Sequence, residues 1–202
     1  MDVRWWYNFR NLVYRDFIDE EHIKNIWKRL SKIEFVRLWT MCDPSSDWEH
    51  TIKIIEKIRP YIKNIVVITK HWTKLSEEQM KKLEWICINT SISALDSPQK
   101  IEYRISMYRK LKAYCNSILR VNTCDFIDER LKKLQNFLLS QEKVIDNILR
   151  IPKNHELVIN WIIKVEPIEF INWKSVYASV YNKNAYFWNC YDCPDKCGIL
   201  TK

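Results

Sequence analysis

From Ile33 onward the chain switches repeatedly between two hydrophobic periods. Glu34-Phe35-Val36-Arg37-Leu38-Trp39-Thr40 alternates apolar and polar residues, as a strand does. Asp47 to Arg59 places Trp48, Ile52, Ile55 and Ile58 at helical spacing, and Pro60 ends the pattern. Ile65 to Thr69 is a solid β-branched run, which suits a strand buried on both faces. Ser76-Glu77-Glu78-Gln79 has the form of an N-cap with a glutamine at N3, opening a helix toward Glu84. Ile86 to Ile92 predicts the next strand, and Ser97-Pro98 begins a helix reaching about Tyr114. Ser117 to Asn122 predicts another strand, followed by a helix over 127–140. Residues 144–151 and 157–166 are apolar and β-branched and predict one or two further strands.

Strands starting near 34, 65, 86 and 117 lie roughly twenty to thirty residues apart, which is the spacing of βα units. The expected class is α/β: an incomplete (β/α) barrel or an open parallel sheet with outer helices, plus a cysteine-rich C-terminal tail. Four or five units are too few for a closed barrel of about 250 residues. The aromatic cluster Trp5, Trp6, Tyr7 and Phe9 precedes a helix expected from about Asp19, with Asp19 as its cap. Neither a linker nor a low-complexity segment interrupts the 202 residues, so one domain is expected: an N-terminal segment over 1–32, βα repeats over 33–166 and the tail over 167–202.

Composition narrows the chemistry. The sequence holds a single glycine, Gly198, where average usage of about 7% would give roughly fourteen. P-loops and dinucleotide-binding fingerprints each need two or three glycines at fixed spacing, so both are excluded. Thirty-three basic residues against 25 acidic ones give a net charge of +8, which favours nucleic acid, a ribonucleoprotein or an acidic protein as partner. The apolar runs are too short to span a bilayer and Met1 to Trp6 is no signal peptide, so a cytoplasmic chain without membrane contact is expected.

Seven cysteines are unevenly placed, and Cys190, Cys193 and Cys197 crowd into eight residues with Pro194 and Gly198 bending the backbone. Thiolates at this spacing suit zinc or an iron–sulfur cluster, with a fourth ligand drawn from Cys42, Cys87, Cys115, Cys124 or a histidine. The alternatives are a disulfide within the tail or plain thiols. Cys87, Cys115 and Cys124 sit in or beside predicted elements, where a thiol packs as a small apolar group. In α/β folds ligands gather at the carboxyl ends of strands, which singles out Cys42 and Asp43, His71, Asp96 and Asp125 as a rim site. Asp43 and Asp96 also stand where helix caps are needed. His22, His50 and His155 are expected on solvated surface.

The segments 35–44, Val67-Ile68-Thr69-Lys70-His71-Trp72, 89–96, Leu119-Arg120-Val121-Asn122 and Leu149-Arg150-Ile151-Pro152, with the closing Cys-x2-Cys-Pro-x2-Cys-Gly, resemble radical-SAM-like proteins of phages and prophages. The resemblance covers roughly 33–198 and implies a partial (β/α) barrel. Members of that family hold a four-iron cluster through C-x3-C-x2-C near the first strand. Here residues 1–41 contain no cysteine, Thr40, Met41 and Cys42 stand where the family has glycines, and the only triplet lies at the other end with reversed spacing. S-adenosylmethionine cleavage is therefore not expected. The resemblance implies a catalytically inactive scaffold kept for binding, as an inhibitor carried by a mobile element. Its expected partner is a host protein or ribonucleoprotein, with an RNA-guided nuclease as the concrete case (an anti-CRISPR inhibitor) and RNA reached through the basic surface. A metal- or iron–sulfur-dependent enzyme using Asp43, His71 or Asp96 is the alternative, and a nucleic-acid-binding protein the second.

Overall fold

A computed structural model describes residues 21, 25, 35–38, 43–168, 176–183, 185, 186 and 193–199. The aromatic cluster at 5–9, His22, Cys42 and Cys190 lie outside these residues, and of the helix expected from Asp19 only Glu21 and Asn25 are described, both helical.

Each βα unit begins where the hydrophobic pattern predicts. β1 (Val36–Leu38) leads through a 3-10 turn at Pro44–Ser46 into α1 (Trp48–Ile58), whose N-cap Asp47 accepts the His50 amide hydrogen at 2.9 Å. Its buried residues are Trp48, Thr51, Ile52, Ile55 and Ile58, one face at helical spacing. β2 (Ile65–Thr69) is buried along its whole length. α2 (Glu77–Lys81) opens with a full capping box: Ser76 Oγ accepts the Gln79 amide and Gln79 Oε1 accepts the Ser76 amide. β3 (Cys87–Ile92), α3 (Pro98–Leu111), β4 (Asn116–Thr123), α4 (Glu129–Leu139) and β6 (Val144–Ile151) follow, with a two-residue strand, β5 (Asp125–Phe126), inserted after β4.

The last third departs from the predicted continuation. The β-branched pattern predicts strand over 157–166, but Glu156–Ile159 forms a short helix, α5, N-capped by the ring of His155. β7 (Ile163–Lys164) pairs antiparallel with β5 in a small separate sheet. β8 (Glu166–Ile168) pairs with β9 (Val176–Ser179), and β9 runs antiparallel to β6. The result is a mixed α/β fold with a seven-stranded sheet of order β1-β2-β3-β4-β6-β9-β8, parallel through β6 and antiparallel beyond.

Alternation along the strands sorts the core into two faces. Ile65, Val67 and Ile88 point to α1, α2 and α3, packing with Ile55, Leu83, Met107 and Leu111. A second cluster on that side joins Ile92, Leu119 and Val121 to Ile105, Tyr108 and Leu138. Val66, Ile68, Cys87, Ile118 and Ile145 point the other way and are covered by Cys197, with Ile199 packed alongside. No helix among the described residues is long and apolar enough to cross a membrane.

Candidate functional site

Parallel strands deliver their carboxyl ends to one edge, and the loops there carry the predicted rim residues. Asp43 is buried, 7% exposed, at the start of the 3-10 turn. Its Oδ1 accepts hydrogens from the Ser45 amide at 2.9 Å, the Ser45 hydroxyl at 2.6 Å and the Thr69 hydroxyl at 2.7 Å; its Oδ2 accepts the Lys70 amide hydrogen at 2.7 Å. The carboxylate therefore clamps the loop after β1 to the end of β2. Ser45 extends the clamp, because its Oγ accepts the Trp72 amide hydrogen at 2.7 Å.

His71 sits just beyond β2 with φ of 52°, left-handed backbone that few side chains adopt. Its amide hydrogen goes to Thr69 Oγ1 at 2.9 Å, which fixes this turn. The ring is 2% exposed and tilts against Trp48, centroids 5.9 Å apart. Nε2 meets Thr90 Oγ1 at 2.9 Å, while Nδ1 is buried without a partner among the described residues. Burial pulls the imidazole pKa down to about 4, outweighing the nearby Asp43 carboxylate. His71 is therefore neutral across physiological pH.

Asp96 closes the turn after β3, accepting the Ser93 amide hydrogen at 2.8 Å and an ion pair from Arg104 Nη1. Arg104 is 5% exposed and also donates from Nε to the Lys70 carbonyl at 2.9 Å. Asp43, His71 and Asp96 thus meet across the ends of β2 and β3. Asp125 does not join them: it lies in β5, opposite Lys164, with its amide donated to Ser179 Oγ at 2.7 Å.

Outside this buried group lies a cleft of about 410 Å³, lined by Lys70, His71, Trp72, Asp96, Lys100, Tyr103 and Arg104. Trp72, 67% exposed, dominates its mouth, and Lys70 and Lys100 are exposed beside it. Strand order in the sequence points to Lys70-His71-Trp72, whereas Lys100, Tyr103 and Arg104 enter the cleft from α3, which strand order does not reveal. Their signal was available, since a helix packed on two strands presents residues three and four apart to the same edge.

The tail cysteines are placed differently. Cys197 is buried against the sheet at φ of 55°, its carbonyl accepting from Asn89 Nδ2 at 3.0 Å and from the Cys87 thiol at 3.3 Å. Cys193 is half-buried. Among the described residues no three His, Cys, Asp or Glu side chains converge as a metal would require. Burial pushes the pKa of the Cys87, Cys115 and Cys124 thiols up to about 12.

A second polar set escaped sequence reading. Arg120 Nη2 donates to Asn147 Oδ1, Asn147 Nδ2 to Asn122 Oδ1, and Asn122 Nδ2 to Ser91 Oγ at 3.0 Å. The register of β3, β4 and β6 puts all four on the face away from the helices, together with Asn89. Polar residues at period two inside β-branched strands were the available clue.

No family model matches the chain, and no curated protein or solved structure matches it either.

Proposed function

We propose that this chain is a binding protein that inhibits a host ribonucleoprotein, an RNA-guided nuclease being the concrete case, on a radical-SAM-like scaffold that no longer runs the parent reaction. The mobile-element setting rests on the resemblance to phage proteins. The observation carrying the binding reading is the division of roles at the ends of β2 and β3. Asp43, His71 and Asp96 spend hydrogen bonds on tying loops together, and Trp72, Lys70 and Lys100 are exposed at the cleft. A general base has to titrate near the working pH, and His71, whose pKa burial lowers to about 4, does not. An exposed tryptophan flanked by lysines meets the demands of an interface, with an aromatic anchor and cations for phosphate or carboxylate. The net charge of +8 acts in the same direction by steering acidic partners inward.

The test is affinity capture from host lysate with the wild-type chain, Trp72→Ala and Lys100→Glu, each with and without ribonuclease, followed by mass spectrometry and RNA sequencing. The expected result is one guide-RNA-bearing particle retained by the wild type and lost by both variants, whose nuclease activity falls when purified chain is added. Equal retention by all three proteins, or a captured nuclease that cuts at full rate, overturns the reading.

A further inference from the structure

We propose that the cleft at the ends of β2 and β3 receives a nucleotide of single-stranded nucleic acid, with the base stacked on Trp72 and its phosphate held at the first turn of α3. This rests on the binding reading above and supplies its ligand chemistry. Four observations converge. At about 410 Å³ the cleft has the size of a small-molecule site rather than a surface dimple. Trp72 keeps 67% of its surface in water, so its indole is open to a planar partner, and base–aromatic stacking needs only such a face.

The anion end is built from backbone as well as side chains. α3 is fourteen residues long and starts with Pro98, and its N-cap Ser97 makes no side-chain hydrogen bond to the first turn. The amides of Gln99 and Lys100 therefore keep their donors at the positive end of the helix dipole, and the Lys100 side chain stands on that same turn. Lys70 supplies a second exposed cation across the cleft. The nearest carboxylate, Asp96, is already committed to Arg104 and the Ser93 amide, so its repulsion of an anion is offset.

The fourth observation is independent of the helix. His71 lines the cleft and is 2% exposed, with Nδ1 buried and lacking a partner among the described residues. Buried polar atoms are almost always paired, and the edge of a base carries both donors and acceptors. An acidic peptide would satisfy the lysines but would leave the indole face unused.

The experiment is fluorescence anisotropy with labelled ten-nucleotide single-stranded RNA and DNA, competed by mononucleotides, inorganic phosphate and polyglutamate. Wild type is expected to bind saturably with affinity falling as salt rises. Trp72→Ala and Lys100→Glu are each expected to weaken binding at least tenfold. Trp85→Ala, which removes an exposed indole at the opposite end of the strands, should leave it unchanged. Mononucleotides should compete far better than phosphate. Absence of saturable binding at low salt, equal losses in Trp72→Ala and Trp85→Ala, or competition by polyglutamate matching that of mononucleotides each overturns the inference. If oligonucleotide binding fails while Trp72→Ala still abolishes particle capture, the nucleotide assignment falls and the binding reading stands. If oligonucleotide binding depends on Trp72 but particle capture does not, the reverse holds.

Discussion

Asp43 accepts the hydroxyl hydrogen of Thr69 at 2.7 Å, joining the loop after β1 to the last residue of β2 across 26 positions of sequence. The same carboxylate takes three further hydrogens, two from Ser45 and one from the Lys70 amide, so a single side chain sets the course of both loops. Hydrogen bonds to a charged group contribute about 1.5–3 kcal/mol each when their loss strands a buried partner, and they are not additive. Asp43→Ala is expected to lower stability by about 3 kcal/mol. Asp43→Asn should cost less, because it keeps one accepting oxygen but turns an amide against the Lys70 N–H. Urea denaturation of both variants measures this, and a loss below about 1 kcal/mol for the alanine variant would show the clamp to be dispensable.

His71 sets an acid limit. Its pKa is lowered by burial from 6.5 to about 4, so between those values the unfolded chain takes up a proton that the folded chain refuses. The stabilising contribution is complete above about pH 6.5 and is lost as the pH falls toward 4. At about 1.4 kcal/mol per pH unit the total is on the order of 3 kcal/mol. His71→Asn removes the titration while tolerating the positive φ, so its stability should fall less steeply between pH 7 and 4.5 than that of the wild type. Parallel slopes in paired urea titrations would refute this.

The buried thiols act at the opposite end of the scale. Cys87, Cys115 and Cys124 have pKa values raised to about 12, so above pH 9 the unfolded chain releases protons that the folded chain keeps. Stability should therefore drop as the pH rises from 9. At pH 8 buried Cys87 and Cys124 should resist iodoacetamide in the native protein and react on denaturation, while half-buried Cys115 and Cys193 label earlier. Peptide mass mapping reads the order directly.

Gly198 occupies φ of 82°, and a Cβ there would lie 2.8 Å from Ile118 Cγ1, 2.9 Å from Ile118 Cδ1 and 3.2 Å from Ile145 Cδ1. Gly198→Ala combines left-handed backbone strain with overpacking and should cost about 2–4 kcal/mol. Adding Ile118→Val, which deletes the Cδ1 contact, should recover part of that loss. Thermal unfolding of the single and double variants decides it; additive losses would mean that the overlap is relieved elsewhere.

Local rules carried the parallel half of the fold. Ile65–Thr69 is strand because five apolar or β-branched residues have both faces to bury, and Ser76 starts a helix because Gln79 completes its cap. The same rules misread residues 157–166, where β-branched composition met the cap of His155 and a reversal at Trp161, whose φ is 55°. β9 is short and pairs backward onto β6, a non-local choice that no window of sequence contains. At the rim, strand order was enough to gather Asp43, His71 and Asp96. It left open whether they face the cleft or hold the loops, because that depends on Ser45, Thr69, Thr90 and Arg104 arriving from four other places. Asp125 was misgrouped for a related reason: β5 carries it into a different sheet.

The carbonyl of Cys197 is reached by Asn89 from 108 positions earlier. On the ribosome, Val66, Ile68 and Cys87 emerge long before the segment that shields them, and loop closure over such a span is slow. For that interval the nascent sheet presents a greasy underside to water. Chaperone demand during synthesis, rather than the finished protein's stability, would then set how much of it a cell can make.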